Sequence, residues 1–153
     1  MNSLGRALSC SMVVCLLAGS VSHAQEAPGY GDIRPILIQK DKQGRLSREA
    51  AELLAGVMEE IDERGELRAW VEADTRYRQM EPTDPAYSEQ LRRIRAIQQR
   101  IVANLTSAMS ELSAAEIYPS EGPFVAVTVN QAGARTLIAD RDVSAICFLV
   151  PAY

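Results

Sequence analysis

The sequence is short of the side chains that do most protein chemistry. Its 153 residues include one His and three Cys, and only 5% are aromatic. Their positions sharpen the shortage. Met1–Ala24 reads as a secretory signal: MNSLGR carries one Arg, ALSCSMVVCLLAGSV is apolar and uncharged, and Ser22-His23-Ala24 places small residues at a cleavage site. The apolar run is shorter than the roughly 20 residues of a membrane-spanning helix, so no anchor is expected. Cys15 follows Val14 rather than a small residue, which argues against a lipoprotein. Cleavage would remove Cys10, Cys15 and His23, leaving residues 25–153 with no His and a single Cys, Cys147. Such a chain has no internal disulfide, no imidazole for a Ser–His or Cys–His pair, and no zinc cluster. No cofactor or metal is expected. Carboxylate pairs such as Glu59/Glu60 fall on a predicted exposed helix and do not converge, so the residue inventory argues against an enzyme. The full chain carries a net charge of −4, and losing the Arg of the signal makes it more negative, which argues against nucleic acid as a partner.

What remains suits one compact domain, with 47% hydrophobic and 24% charged residues over the whole chain. Residues 25–64 read as an N-terminal extension. QEAPGYGD is linker-like, IRPILIQ is a short strand that Pro35 confines to a sheet edge, and KDKQG is a turn. Ser47 is placed to cap a helix over about 47–64, with Ala50, Leu54, Val57 and Ile61 on one face and Gly65 as its C-terminal glycine. From Leu67 to Asp74 apolar and polar residues alternate, which predicts a half-buried strand with Leu67, Ala69, Val71 and Ala73 on one side and Arg68, Trp70, Glu72 and Asp74 on the other. Asp84 and Pro85 read as the cap and first residue of a long helix reaching about Leu112, whose arginines form a solvated face. Ala114–Tyr118 reads as a short strand and Phe124–Val129 as the strongest strand signal. A short helix over Gln131–Ala139 and a last apolar strand over Val143–Val150 follow.

From Leu67 the order is strand, helix, strand, strand, helix, strand. This is the α+β, ferredoxin-like βαββαβ open-faced sandwich: an antiparallel sheet with two helices on one face, here preceded by the helical extension. Its other face would display Trp70, Phe124, Ala126 and Thr128. Two readings stand side by side: the face is a partner surface, or the helix at 47–64 covers it. Cys147 also has two readings, a small buried hydrophobe in the last strand or an exposed thiol that pairs with another chain.

The stretches GELRAWVEAD, LRRIRAIQQRIVANL and above all PFVAVTVNQAGARTLIADRDVSAI resemble the propeptide of subtilisin-like serine proteases, a domain that also occurs alone as an inhibitor of those enzymes. The resemblance covers residues 65–153. It implies a secreted or periplasmic inhibitor of a subtilisin-like serine protease, monomeric when free and off the membrane after signal cleavage, with possible service as a folding chaperone in trans. The open sheet face would dock on two surface helices of the protease. The tail Val150-Pro151-Ala152-Tyr153 would lie in the substrate cleft like a bound product, with Tyr153 in the primary specificity pocket, Ala152 in a narrow second subsite and Val150 in an apolar fourth. Extended segments of this kind bind by strand addition. Pro151 keeps Val150 out of helix, and a pre-extended tail loses less entropy on binding. The Tyr153 carboxylate would sit near the oxyanion hole.

The sequence departs from the family at three places. Carboxylates that usually follow the last strand's valine or isoleucine, and that cap helices of the enzyme, are replaced by Cys147 and Phe148; Glu121 is a candidate substitute. The tail is about two residues shorter, roughly 7 Å of reach at strand spacing. No catalytic domain follows, so inhibition would occur in trans. The alternative from another class is a non-inhibitory envelope protein-interaction module of the same fold, using the same face.

Overall fold

Residues 47–65 carry both ends of a helix in their sequence, and the computed structural model, which describes residues 32–109, 115–117 and 122–152, forms it there. The Ser47 Oγ accepts the Ala50 N–H at 3.0 Å, and Gly65, at φ 86°, returns its own N–H to the Ile61 carbonyl. The chain order is β1 (Ile33–Gln39), α1 (Arg48–Arg64), β2 (Leu67–Ala73), α2 (Tyr87–Ala108), β3 (Ala115–Ile117), β4 (Phe124–Val129), α3 (Gln131–Ala139) and β5 (Val143–Pro151). The five strands form one antiparallel sheet in the order β1-β5-β2-β4-β3. The domain is therefore α+β, an antiparallel sheet with three helices.

Pleating sends alternate side chains to opposite faces, and the burial pattern follows it. On β2, Leu67, Ala69, Val71 and Ala73 are all buried while Arg68 between them is exposed. Their cross-strand partners include Val125, Val127 and Val129 on β4 and Ile146 and Phe148 on β5. Ala50, Val57 and Ile61 of α1, Ile101 and Leu105 of α2, and Ala134 and Leu137 of α3 join these residues in a single core. All three helices thus pack on the same face. The reading in which α1 covers the opposite face is overturned: its apolar stripe continues the stripe of the other helices, so one layer buries all three. Each fully buried Val, Leu or Ile contributes on the order of 1.5–3 kcal/mol.

Pro35 lies on β1 at the sheet edge, as its missing N–H requires. Lys40 N–H bonds the Ser144 carbonyl, so positions 34, 36 and 38 turn their backbone polar groups toward β5, and Pro35 turns its nitrogen away from the sheet. The proline costs the ladder no bond and interrupts the outer edge against pairing with another chain. At the same end of the sheet, Lys40 Nζ donates to the Leu137 carbonyl at 3.1 Å and the Asp140 carbonyl at 2.7 Å, capping the C-terminus of α3. Burial pushes its pKa below the ordinary 10.5, with the Asp140 carboxylate pulling the other way.

The structure corrects the long helix at both ends. Helix α2 begins at Tyr87 with Ala86 as its cap residue, not at Asp84 and Pro85. The Asp84 carboxylate is taken instead by the Ala86 N–H at 2.8 Å, which shapes a turn ahead of the helix. Its other end is Ala108, capped through the Met109 N–H; Leu112 lies outside the described residues. Two glutamines sit on the buried face among Ile94, Ile101 and Leu105. Gln98 donates to the Phe124 carbonyl at 2.8 Å, and Gln90 exchanges two bonds with the backbone of Arg78. Gln98 thereby ties α2 to the start of β4, and Gln90 ties it to the irregular backbone at Arg78.

Helix α3 enters close to β4. A Cβ on Gly133 would stand 2.5 Å from Met109 Sδ and 3.0 Å from Val129 Cβ. Helix propensity alone favours Ala over Gly by about 0.5–1 kcal/mol, whereas overpacking costs about 1–3 kcal/mol. Met109 can shift, but the β-carbon of Val129 cannot, so crowding wins. Gly133→Ala should lower the unfolding free energy by about 1–2 kcal/mol. A gain in a urea denaturation curve would show that the contact relaxes at no cost.

Candidate protein-docking face

The sheet face opposite the helices is organised by register into rows. The central row runs Leu37, Cys147, Trp70, Ala126 across β1, β5, β2 and β4. On one side lies Pro35, Leu149, Arg68, Thr128; on the other lies Gln39, Ala145, Glu72, Phe124. Among the described residues no helix packs against these rows. The small side chains, Cys147, Ala126 and Ala145, are buried, Cys147 to 1% exposure. The large ones, Leu37, Trp70, Phe124 and Leu149, are half-buried. The central row is thus wholly apolar, with polar side chains in the rows beside it. Charge is confined to its flanks, where Arg68 and Glu72 stand two positions either side of Trp70 on β2.

Trp70, Phe124, Ala126 and Thr128, the four residues expected from sequence, share this face. Trp70 is directly opposite Ala126, while Thr128 and Phe124 face Arg68 and Glu72. Sequence reading missed the half supplied by β1 and β5: Pro35, Leu37, Ala145, Cys147 and Leu149. IRPILIQ is apolar without a break from Ile36 to Ile38, so pattern alone does not assign Leu37 to a face. Val143–Val150 is apolar throughout, and nothing in it marks which residues face the helices. Of the two readings of Cys147, the structure has the buried one.

The tail is placed differently from its expectation. Val150 is not a tail residue here. It is 1% exposed, belongs to β5 opposite Arg34, and points into the core, because its parity on the strand is that of Ile146 and Phe148. Pro151 is the last residue of β5, opposite Ile33. Ala152 is exposed, but its N–H donates to the Asp32 carbonyl at 2.7 Å. Tyr153 and Glu121 lie outside the described residues. Residues 150–152 therefore stay with the sheet edge, Val150 and Pro151 as part of β5 and Ala152 through its bond to Asp32.

The side chains of this face are aliphatic, aromatic and hydroxyl, and its charged groups, Arg68 and Glu72, are separated by Trp70. Among the described residues no three His, Cys, Asp or Glu side chains gather where they could hold a metal ion, and no helix is long and apolar enough to cross a membrane. Comparison of the chain with family models, with curated proteins and with solved structures finds no match.

Proposed function

We propose that this protein is a non-enzymatic inhibitor that acts outside the cytoplasm and docks on a subtilisin-like serine protease through the helix-free face of its sheet. The observation that carries the reading is the apolar central row of that face, Leu37, Cys147, Trp70 and Ala126, with charge only in the rows beside it. Contiguous apolar surface of this kind marks a partner site, and a half-buried Trp is the side chain most often central to one. The strand order β5-β2-β4-β3, with helices after β2 and β4, supports the ferredoxin-like βαββαβ arrangement for residues 65–153, and β1 is an added edge strand. The resemblance of the Pro123–Ile146 block to subtilisin propeptides supplies the identity of the partner.

The second reading, a module that binds its partner without inhibiting it, is favoured by the burial of Val150 and the tethering of Ala152. Both hold the segment expected to enter the cleft. The two readings separate on one experiment. A subtilisin is titrated with residues 25–153 and with a form lacking Ala152 and Tyr153, using a chromogenic peptide as substrate. Loss of at least tenfold in inhibition on truncation supports product-like occupancy of the cleft. Equal binding by both forms without inhibition supports the second reading. No binding by either at micromolar concentration, a free energy weaker than about −8 kcal/mol, removes the protease from consideration.

A further inference from the structure

The N-terminal segment holds the C-terminal end of the chain at three points. Ile33 and Arg34 of β1 face Pro151 and Val150. The Asp32 carbonyl accepts the Ala152 N–H at 2.7 Å. At the end of α1, Arg64 Nη2 donates to the Pro151 carbonyl at 3.2 Å, while its Nε is paired with Glu60 at 2.9 Å. The other neighbour of β5 gives no such support. Pairing of β5 with β2 stops at Leu149, opposite Arg68. Among the described residues the backbone from Val150 to Ala152 is therefore paired with the N-terminal segment, while the Val150 side chain is set in the core. Pro151 suits this end of the strand: its nitrogen faces the side where β2 has already stopped, so its missing N–H costs no bond.

We infer that β1, with Asp32 and Arg64, is a latch on the C-terminal tail. Closed, the tail is the last part of a strand and only the sheet face is available to a partner. Open, the residues from Pro151 onward are released as an extended segment for a protease cleft, while the buried Val150 side chain stays anchored in the core. The inference rests on the docking reading above and adds its regulation: the sheet face binds first, and the tail acts only after β1 yields at its N-terminal end. Strand ends fray before strand centres, and Arg34 and Pro35 are exposed while Ile38 is 1% exposed, so the latch opens from Asp32 inward. Cleavage of the chain ahead of Ile38 would hold it open.

The test locks the latch in the full mature chain. Ile33 and Pro151 are a cross-strand pair without ladder bonds between them, the type whose Cα atoms stand about 4.5 Å apart, within disulfide range. The Ile33→Cys/Pro151→Cys double variant is compared with itself, oxidised against reduced, so that any effect of losing Pro151 cancels. Hydrogen exchange at the Ala152 amide reads the latch without any protease. We expect exchange at least tenfold slower, and inhibition of subtilisin at least tenfold weaker, in the oxidised form. Arg64→Ala, which loosens the latch without a disulfide, should shift both in the opposite direction. Equal Ala152 exchange in the two redox forms, or equal inhibition by two forms that both bind the protease, overturns the latch. Slower exchange in the oxidised form with no protease bound by either form keeps the latch and overturns the protease reading.

Discussion

Phe148→Ala should lower the unfolding free energy by about 3–5 kcal/mol, the range for truncating a buried aromatic side chain. Phe148 is fully buried, lies on β5 between Ile36 of β1 and Ala69 of β2, and belongs to the core that all three helices share. Its cross-strand partner on β2 is the small residue Ala69, also buried. Neither neighbouring strand can collapse into the gap, because each is fixed by its own ladder. A domain of this size has only about 5–15 kcal/mol of total stability, and no disulfide is available to residues 25–153 to make up the loss. Trp70, the sole Trp of the chain, reports unfolding directly by fluorescence in urea. A loss below about 1 kcal/mol would mean that the helix-facing side of β5 is not the tightly packed centre described here.

Trp70→Asp should weaken docking by about 30-fold or more, corresponding to about 2 kcal/mol for a central aromatic anchor, while the domain stays folded. The side chain lies in the middle row of the helix-free face and does not contribute to the core under the helices. Leu53→Asp is the matching control. Leu53 is 48% exposed on α1, in the helix layer on the other side of the sheet, and its replacement should leave docking unchanged. Binding to a subtilisin is measured by calorimetry, and folding of each variant by urea denaturation. Equal weakening by both substitutions, or by neither, would move the docking surface off this face.

The sequence made the ends of α1, the alternation of β2 and β4 and the short helix α3 legible, because each is written locally: Ser47 and Gly65 as caps, Arg68 and Trp70 between buried neighbours, valines at every second position of β4. The edge position of β1 was equally legible, since only an edge tolerates Pro35. The start of α2 was misread because Asp84 and Pro85 fit either a cap or the preceding turn, and the Asp84 carboxylate bonds two residues on rather than three. The burial of Gln90 and Gln98 has no local signal, because their partners are backbone groups of segments distant in the chain. The same limit applied to the face. Trp70, Phe124, Ala126 and Thr128 followed from alternation, but Leu37, Cys147 and Leu149 needed the register of β1 with β5, which is a long-range fact. The pairing of Val150 and Pro151 with β1 was hidden for the same reason. Pro151 signals an extended chain, and an extended chain is compatible with a protruding tail and with an edge-paired strand alike.

The sheet-face account is tested most directly by mapping the bound surface. Residues 25–153, isotopically labelled, are mixed with a subtilisin whose active-site serine is blocked, and amide and indole resonances are followed. The account predicts that the changes concentrate on Leu37, Trp70, Ala126, Thr128 and Leu149, with the exposed residues of α1 and α2 unaffected. Changes confined to the helix layer, with the Trp70 indole unmoved in a saturated complex, would contradict it.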